Sequence, residues 1–164
     1  MSDGRTVVCP GSYDPVTNGH IDIITRAANI FDKVVVGVVN QPVRKEKTLF
    51  TGEERREFIK EATSGLENVE VEVFSKLLVE FARDQGASAI VKGLRAISDF
   101  EYEFEMNQLN KKLAPDLESV YIIASPNYSF LSSTGVKEMA TFGGDVSDLV
   151  PGPVSEALAG RLKR

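Results

Sequence analysis

An α/β fold with five parallel strands, doubly wound so that helices cover both faces of the sheet, is what this sequence predicts. Three observations carry the prediction. Short β-branched apolar runs alternate with segments of helical period along the chain. One run, Val34-Val35-Val36-Gly37-Val38-Val39, is apolar without a break, as in an interior strand covered on both sides. The stretch from Cys9 to His20 links a strand pattern to a helix pattern through a glycine-bearing loop, the arrangement that delivers ligand sites to the carboxyl edge of a parallel sheet. At 164 residues the chain reads as a single domain, 1–164, built on one core.

Taken in order, Thr6 to Cys9 is the first strand, and Ile21, Ile24, Ala27, Ala28 and Phe31 recur with the period of a helix. After the apolar run at 34–39 comes a polar, basic loop from Asn40 to Phe50. Thr51-Gly52-Glu53-Glu54 then opens a helix with a Thr-x-x-Glu capping box, expected to reach about Ser64. Val69 to Phe74 alternates valine with glutamate, so this strand exposes one face and belongs near a sheet edge. Leu77 to Gln85 is a short helix presenting Leu78, Phe81 and Ala82, stopped by Gly86. Ala89-Ile90-Val91 is a strand that ends in Lys92-Gly93-Leu94-Arg95. Ser98 to Leu113 is the longest helix, with Ser98 as its cap and Asp99, Glu101 and Glu103 near its positive end. Phe100, Tyr102, Phe104, Met106, Leu109 and Leu113 occupy more than one stripe of it, which predicts a subunit partner for the second face. Ser119 to Ala124 reads as a buried strand leading to Tyr128–Thr134, and helices through Thr141 and from Val154 to Leu162 close the chain.

The chemistry concentrates in the loop after the first strand. A helix start offers free backbone N–H groups and the positive end of its dipole to an anion. Gly11 and Gly19 let backbone approach a ligand, and His20, the sole histidine, stands in the first helical turn with a ring able to donate to the same anion. A lone histidine in such a place is often only a capping or surface residue, and Pro10, Asp14, Pro15 and Asn18 are also what a rigid turn requires. Two further polar loops fall at the same predicted edge, however: the Lys92–Arg95 segment and the Ser132, Ser133, Thr134 cluster, of which capping accounts for one hydroxyl.

Composition narrows the classes. The net charge of −5 argues against a broad nucleic-acid surface, while the basic islands at Arg44, Lys45 and Lys47 and at Lys92 and Arg95 suit a small polyanion. A single cysteine excludes an intrachain disulfide and a CxxC site, and Cys9 is assigned to packing. No signal-like or spanning apolar run is present, so a cytoplasmic address is expected. Neither G-x-G-x-x-G nor G-x-x-x-x-G-K-[ST] occurs, so phosphate recognition must use another loop.

Pro10-Gly11-Ser12-Tyr13-Asp14-Pro15 with Thr17-Asn18-Gly19-His20 resembles the nucleotidylyltransferase signature that ends in T-x-G-H. With the Lys-Gly-Leu-Arg and Asp-Phe-Glu-Tyr-Glu segments in order behind it, the chain from about residue 6 to about residue 160 resembles the phosphopantetheine adenylyltransferase family. The resemblance implies a Rossmann-like nucleotidylyltransferase fold and adenylyl transfer from ATP to 4′-phosphopantetheine, giving dephospho-coenzyme A and pyrophosphate. It implies that Ser12 touches both substrates and that Tyr13, His20, Gly93, Leu94, Arg95, Glu103 and the span Tyr128, Ser129, Phe130, Leu131, Ser132, Ser133 and Thr134 hold ATP. Phosphopantetheine falls to Ser12, Leu78, Lys92, Asn110 and a cation of the Asn40–Phe50 loop. His20, Lys92, Arg44 and Ser12 are the residues assigned to catalysis. The family commonly has Pro-x-Lys in that loop, whereas this chain has Pro42-Val43-Arg44-Lys45 in a longer one. Counting from Pro42 selects Arg44; counting back from Phe50 makes Lys45 or Lys47 available.

The resemblance further implies magnesium arriving with ATP rather than in a protein cage, a homohexamer, and coenzyme A as a feedback ligand. A nucleotidylyltransferase for nicotinate mononucleotide or glycerol phosphate would share the first motif without the later two. A nucleotide sensor could dispense with His20 and Lys92.

Overall fold

The computed structural model describes residues 4–43 and 47–162. Its five strands, β1 (Thr6–Gly11), β2 (Lys33–Val39), β3 (Val69–Phe74), β4 (Ala89–Leu94) and β5 (Glu118–Ile123), form one parallel sheet in the order β3-β2-β1-β4-β5. The helices are α1 (Asn18–Ile30), α2 (Gly52–Ala62), α3 (Leu78–Asp84), α4 (Ile97–Leu113), α5 (Ser133–Thr141) and α6 (Gly152–Arg161), with a 3₁₀ turn at Pro126–Tyr128. The predicted doubly wound fold is the one adopted. β1 is the central strand, and the strand order reverses between β1 and β4, so the loops leaving those two strands flank the switch point where such sheets bind ligands.

Strand alternation divides the core in two. Val7, Cys9, Val34, Val36, Val38 and Val91 point to one face, where Ile23, Ile24 and Ala27 of α1, Ile59 of α2 and Val154 and Leu158 of α6 cover them. Val8, Val35 and Ile90 point to the other, covered by Val79, Phe81 and Ala82 of α3 and by Ala114 and Leu117 beyond α4. β3 is an edge strand, as its Val-Glu alternation predicted. Thr51 and Glu54 form the expected capping box, and Gly86 ends α3 with φ of +67°, the left-handed value that glycine adopts without strain.

Several boundaries differ from the sequence expectation. β1 runs on to Gly11, paired with Val38, and α1 begins at Asn18, so the loop between them is only residues 12–17. α4 starts at Ile97 rather than being capped by Ser98; Asp99 folds back to accept from the Arg95 N–H at 3.1 Å. β5, read as buried, is the second edge strand, and Ile123 is 65% exposed, because apolar runs do not reveal whether a neighbour lies beyond them. α4 contributes no buried residue at all, and Ile97, Phe100, Phe104, Leu109 and Leu113 each expose more than half their surface.

Candidate active site

The signature loop is built around the start of α1. Thr17 caps the helix by accepting from the His20 N–H, and His20, at the third helical position, closes a capping box by accepting from the Thr17 N–H through Nδ1 at 2.9 Å. The three-residue spacing of Thr17 and His20 is thus the spacing of a reciprocal cap, with imidazole standing where glutamate or glutamine usually does. Because Nδ1 spends its lone pair on a backbone N–H, the ring proton of the neutral imidazole resides on Nε2, which is a donor pointing away from the cap. The Tyr13 ring meets His20 edge-on with centroids 5.0 Å apart, fixing the plane of the imidazole.

Tyr13 itself has φ of 49° and is 4% exposed, its hydroxyl donating to the Cys9 carbonyl at 2.9 Å. A Cβ on Gly11 would lie 2.9 Å from the Tyr13 ring, so this glycine makes room for the tyrosine. With its side chain buried, Tyr13 leaves its backbone as what it can offer a ligand. Burial pushes the Cys9 thiol up to about 11, outweighing the Tyr13 hydrogen bond that lowers it. Native protein at pH 8 is therefore expected to resist alkylation at Cys9 and to become fully modified once unfolded, read as added mass; stoichiometric labelling of the folded chain would show that the strand end opens.

Across the switch point, Lys92 at the end of β4 is paired with Glu103 of α4 at 2.7 Å, both side chains less than one-fifth exposed. Tyr121 donates to the Glu103 carbonyl, fastening this turn of α4 to β5. Gly93 is a spacer, since a Cβ there would meet Ile23 of α1 at 2.9 Å, and Leu94 is buried, so neither offers a ligand more than backbone. Arg95 bridges Asp99 and the Leu131 carbonyl, 2.7 Å from the latter, drawing the 128–134 segment toward β4. Within that segment Ser132 caps α5 and Ser133 donates to the Pro15 carbonyl at 2.8 Å. Two of the three hydroxyls thus have structural partners, one more than capping alone predicted. Tyr128 and Leu131 pack over Gly19, while Ser129, Phe130 and Thr134 are exposed. Ser12, Tyr13, His20, Lys92, Arg95, Glu103 and the 128–134 segment are therefore brought to one edge. Leu78 begins α3 beyond β3, and Asn110 lies two turns past Glu103 on the same side of α4, about 10 Å away along its axis.

Arg44 and Lys45 lie outside the described residues; the end of the segment that carries them, Leu49 and Phe50, is anchored. Asp14, fully buried, accepts from the Leu49 and Phe50 N–H groups at 2.9 Å each and from Lys137 of α5 at 3.2 Å. Arg161 of α6 donates to the Leu49 carbonyl, lies over the Phe50 ring and pairs with Glu54, whose carboxyl the Arg161 hydrogen bond holds at about 2. Arg55, with no exposed surface, donates only to main-chain carbonyls among the described residues. None of Asp14, Arg55 or Lys137 was picked out as functional from sequence. Asp14 was read as a turn former, and a buried arginine is indistinguishable from a solvated one on a charged helix such as α2.

Residues 8–139 match the family described as cytidylyltransferase-like. The phosphopantetheine adenylyltransferase of Caldanaerobacter subterraneus subsp. tengcongensis is 52% identical over 98% of this chain and 99% of its own. That of Heliobacterium modesticaldum is 55% identical over 93% of this chain and 89% of its own. A solved structure from Vibrio parahaemolyticus, provisionally assigned as a nicotinate-nucleotide adenylyltransferase, superposes with a TM-score of 0.68 over 96% of this chain and 99% of that one; at 15% identity it shares the fold alone.

Proposed function

This chain belongs to the phosphopantetheine adenylyltransferases, and from that premise we propose that it joins ATP and 4′-phosphopantetheine into dephospho-coenzyme A and pyrophosphate, a step of coenzyme A biosynthesis. The observation that carries the reading is the 52% and 55% identity to enzymes of that name over nearly the whole chain. A phosphate oxygen of phosphopantetheine attacks the α-phosphorus of ATP, a new P–O bond forms, and the bond to the bridging oxygen breaks as pyrophosphate leaves. The nucleophile is already ionised at neutral pH, so no general base is needed. The protein must hold two polyanions in line and aim donors at the charge that develops.

In this reading His20 donates through Nε2 to the ATP phosphates, and the amides at the start of α1 supply further donors. Ser12 stands between the two substrates. Lys92 receives the acceptor phosphate, leaving or sharing its pair with Glu103, and Arg44 is assigned to the same phosphate. Arg95, Glu103 and the 128–134 segment hold the nucleotide, and Leu78 and Asn110 the pantetheine arm. Magnesium is proposed to ride on the ATP phosphates, where it neutralises charge and stabilises the leaving group. Glu103 and Asp99 are each engaged by a cation, which suits this arrangement. Coenzyme A, sharing the product's body, is proposed as a feedback ligand. No helix among the described residues is long and apolar enough to cross a membrane, which suits a cytoplasmic enzyme.

The test is pyrophosphate release from ATP with 4′-phosphopantetheine, with the product identified by mass. Turnover instead with nicotinate mononucleotide, or with glycerol phosphate and CTP, would replace this reading, and binding of ATP with no turnover on any acceptor would favour a sensor.

The unburied apolar surface of α4 is proposed to be covered by further copies of the chain in a hexamer. Leu109, 51% exposed in the protomer, is the position to charge. Leu109→Glu is expected to lower the mass in solution by light scattering, and to weaken substrate binding as well, because Glu103 and Asn110 ride on the same helix. An unchanged mass would remove this face from the assembly.

A further inference from the structure

We infer that Arg55 is a positioning residue for adenylyl transfer, a buried guanidinium that sets the spacing between the loop carrying Ser12 and the loop that receives the acceptor phosphate. The inference rests on the reaction proposed above.

Arg55 sits on α2, outside every segment that the signature covers, and has no exposed surface. Its donors are divided among three pieces of chain. Nε reaches the Phe50 and Thr51 carbonyls at 3.1 and 3.2 Å, at the head of α2. One Nη donates to the Ser12 and Val39 carbonyls, each at 2.7 Å, and the other to the Asn40 carbonyl at 2.7 Å. The group thus touches both ends of the Asn40–Phe50 loop and the backbone of Ser12, without touching a substrate position itself. A guanidinium presents its donors in a fixed plane, so it dictates the separation of the carbonyls it joins, which a flexible ammonium does not.

The surroundings argue that this is more than a buried cation finding acceptors. Phe50 is held from both sides, its carbonyl by Arg55 and its N–H by Asp14, the latter in the same loop as Ser12. The Asp14 charge favours the guanidinium against the burial that disfavours it, so the two charges are mutually supporting though no direct ion pair joins them. Two strands, β1 and β2, end beside this cluster, and a shift of either loop would have to break bonds to one rigid group. In-line transfer tolerates little such shift, since a misplacement of about 1 Å costs on the order of 100-fold in rate.

The experiment uses Arg55→Lys in the full-length protein, at a temperature where circular dichroism shows complete folding. The expected result is turnover lowered by about 10- to 100-fold, with ATP still bound one per chain and its dissociation constant within about threefold of wild type. A purely structural role would lower the melting temperature and leave turnover per folded chain near wild type, and that outcome would overturn the inference. Should Arg55→Lys fail to fold, the wild-type protein decides. The ¹⁵N resonances of the Arg55 side chain should move when ATP and phosphopantetheine are added in turn, and resonances indifferent to both would equally overturn it. If wild-type protein releases no pyrophosphate, the proposed reaction is what has failed, and the assay reports that before any variant is made.

Discussion

Replacing His20 with alanine is expected to lower turnover by about 100-fold or more while ATP affinity changes little, the pattern of a donor whose bond strengthens only as charge moves toward the leaving pyrophosphate. The capping box sharpens this expectation. Nδ1 accepts from the Thr17 N–H, which leaves Nε2 as the nitrogen that faces outward to donate. Glutamine at the same position can accept from the Thr17 N–H with its oxygen and donate outward with its amide nitrogen. His20→Gln is therefore expected to recover part of the rate, with the helix start intact by circular dichroism. No recovery with glutamine would mean that positive charge on the ring is what the reaction uses. A raised Michaelis constant for ATP at unchanged turnover, in the alanine variant, would make His20 a binding residue only.

The largest effect on stability is expected at Asp14. Asp14→Ala removes a fully buried carboxylate, strands the Leu49 and Phe50 N–H groups and leaves Lys137 without its partner. Losing one member of such a pair costs about 3 kcal/mol, roughly 6 to 12 °C in melting temperature for a chain of this size. Asp14→Asn should cost less, since one oxygen remains to accept from one N–H. Calorimetry would measure both. A melting point within a degree or two of wild type for Asp14→Ala would show that water or a rearranged loop takes over the two amides. Because Leu49 and Phe50 end the loop that carries Arg44, the alanine variant should also bind phosphopantetheine more weakly than ATP.

The fold was legible because its signals are local and redundant. The unbroken valines of β2 can only be satisfied inside a sheet, the valine-glutamate alternation of β3 announces an edge, and Thr51 with Glu54 announces a helix start. The signature residues were legible for the same reason. Ser12, Lys92 and Arg95 lie within two residues of strand ends, His20 opens the helix that follows β1, and a parallel sheet delivers all of its carboxyl strand ends to one edge.

What the sequence alone determined, then, is the architecture, the edge at which the signature residues gather and the family to which the motifs point. Tertiary structure alone decided how each group is used. It turned Tyr13 inward under Gly11, spent two of three hydroxyls near α5 on structural bonds, and paired Lys92 with Glu103 across eleven positions. It also buried Arg55 among carbonyls of three segments and left α4 bare. The physical reason is range. Periodicity, capping and turn chemistry act over a few residues and can be read in order along the chain. The farthest partner of Arg55 lies 43 positions away, and Asp14 and Lys137 are partners across 123, and only the closing of the sheet brings them within a hydrogen bond.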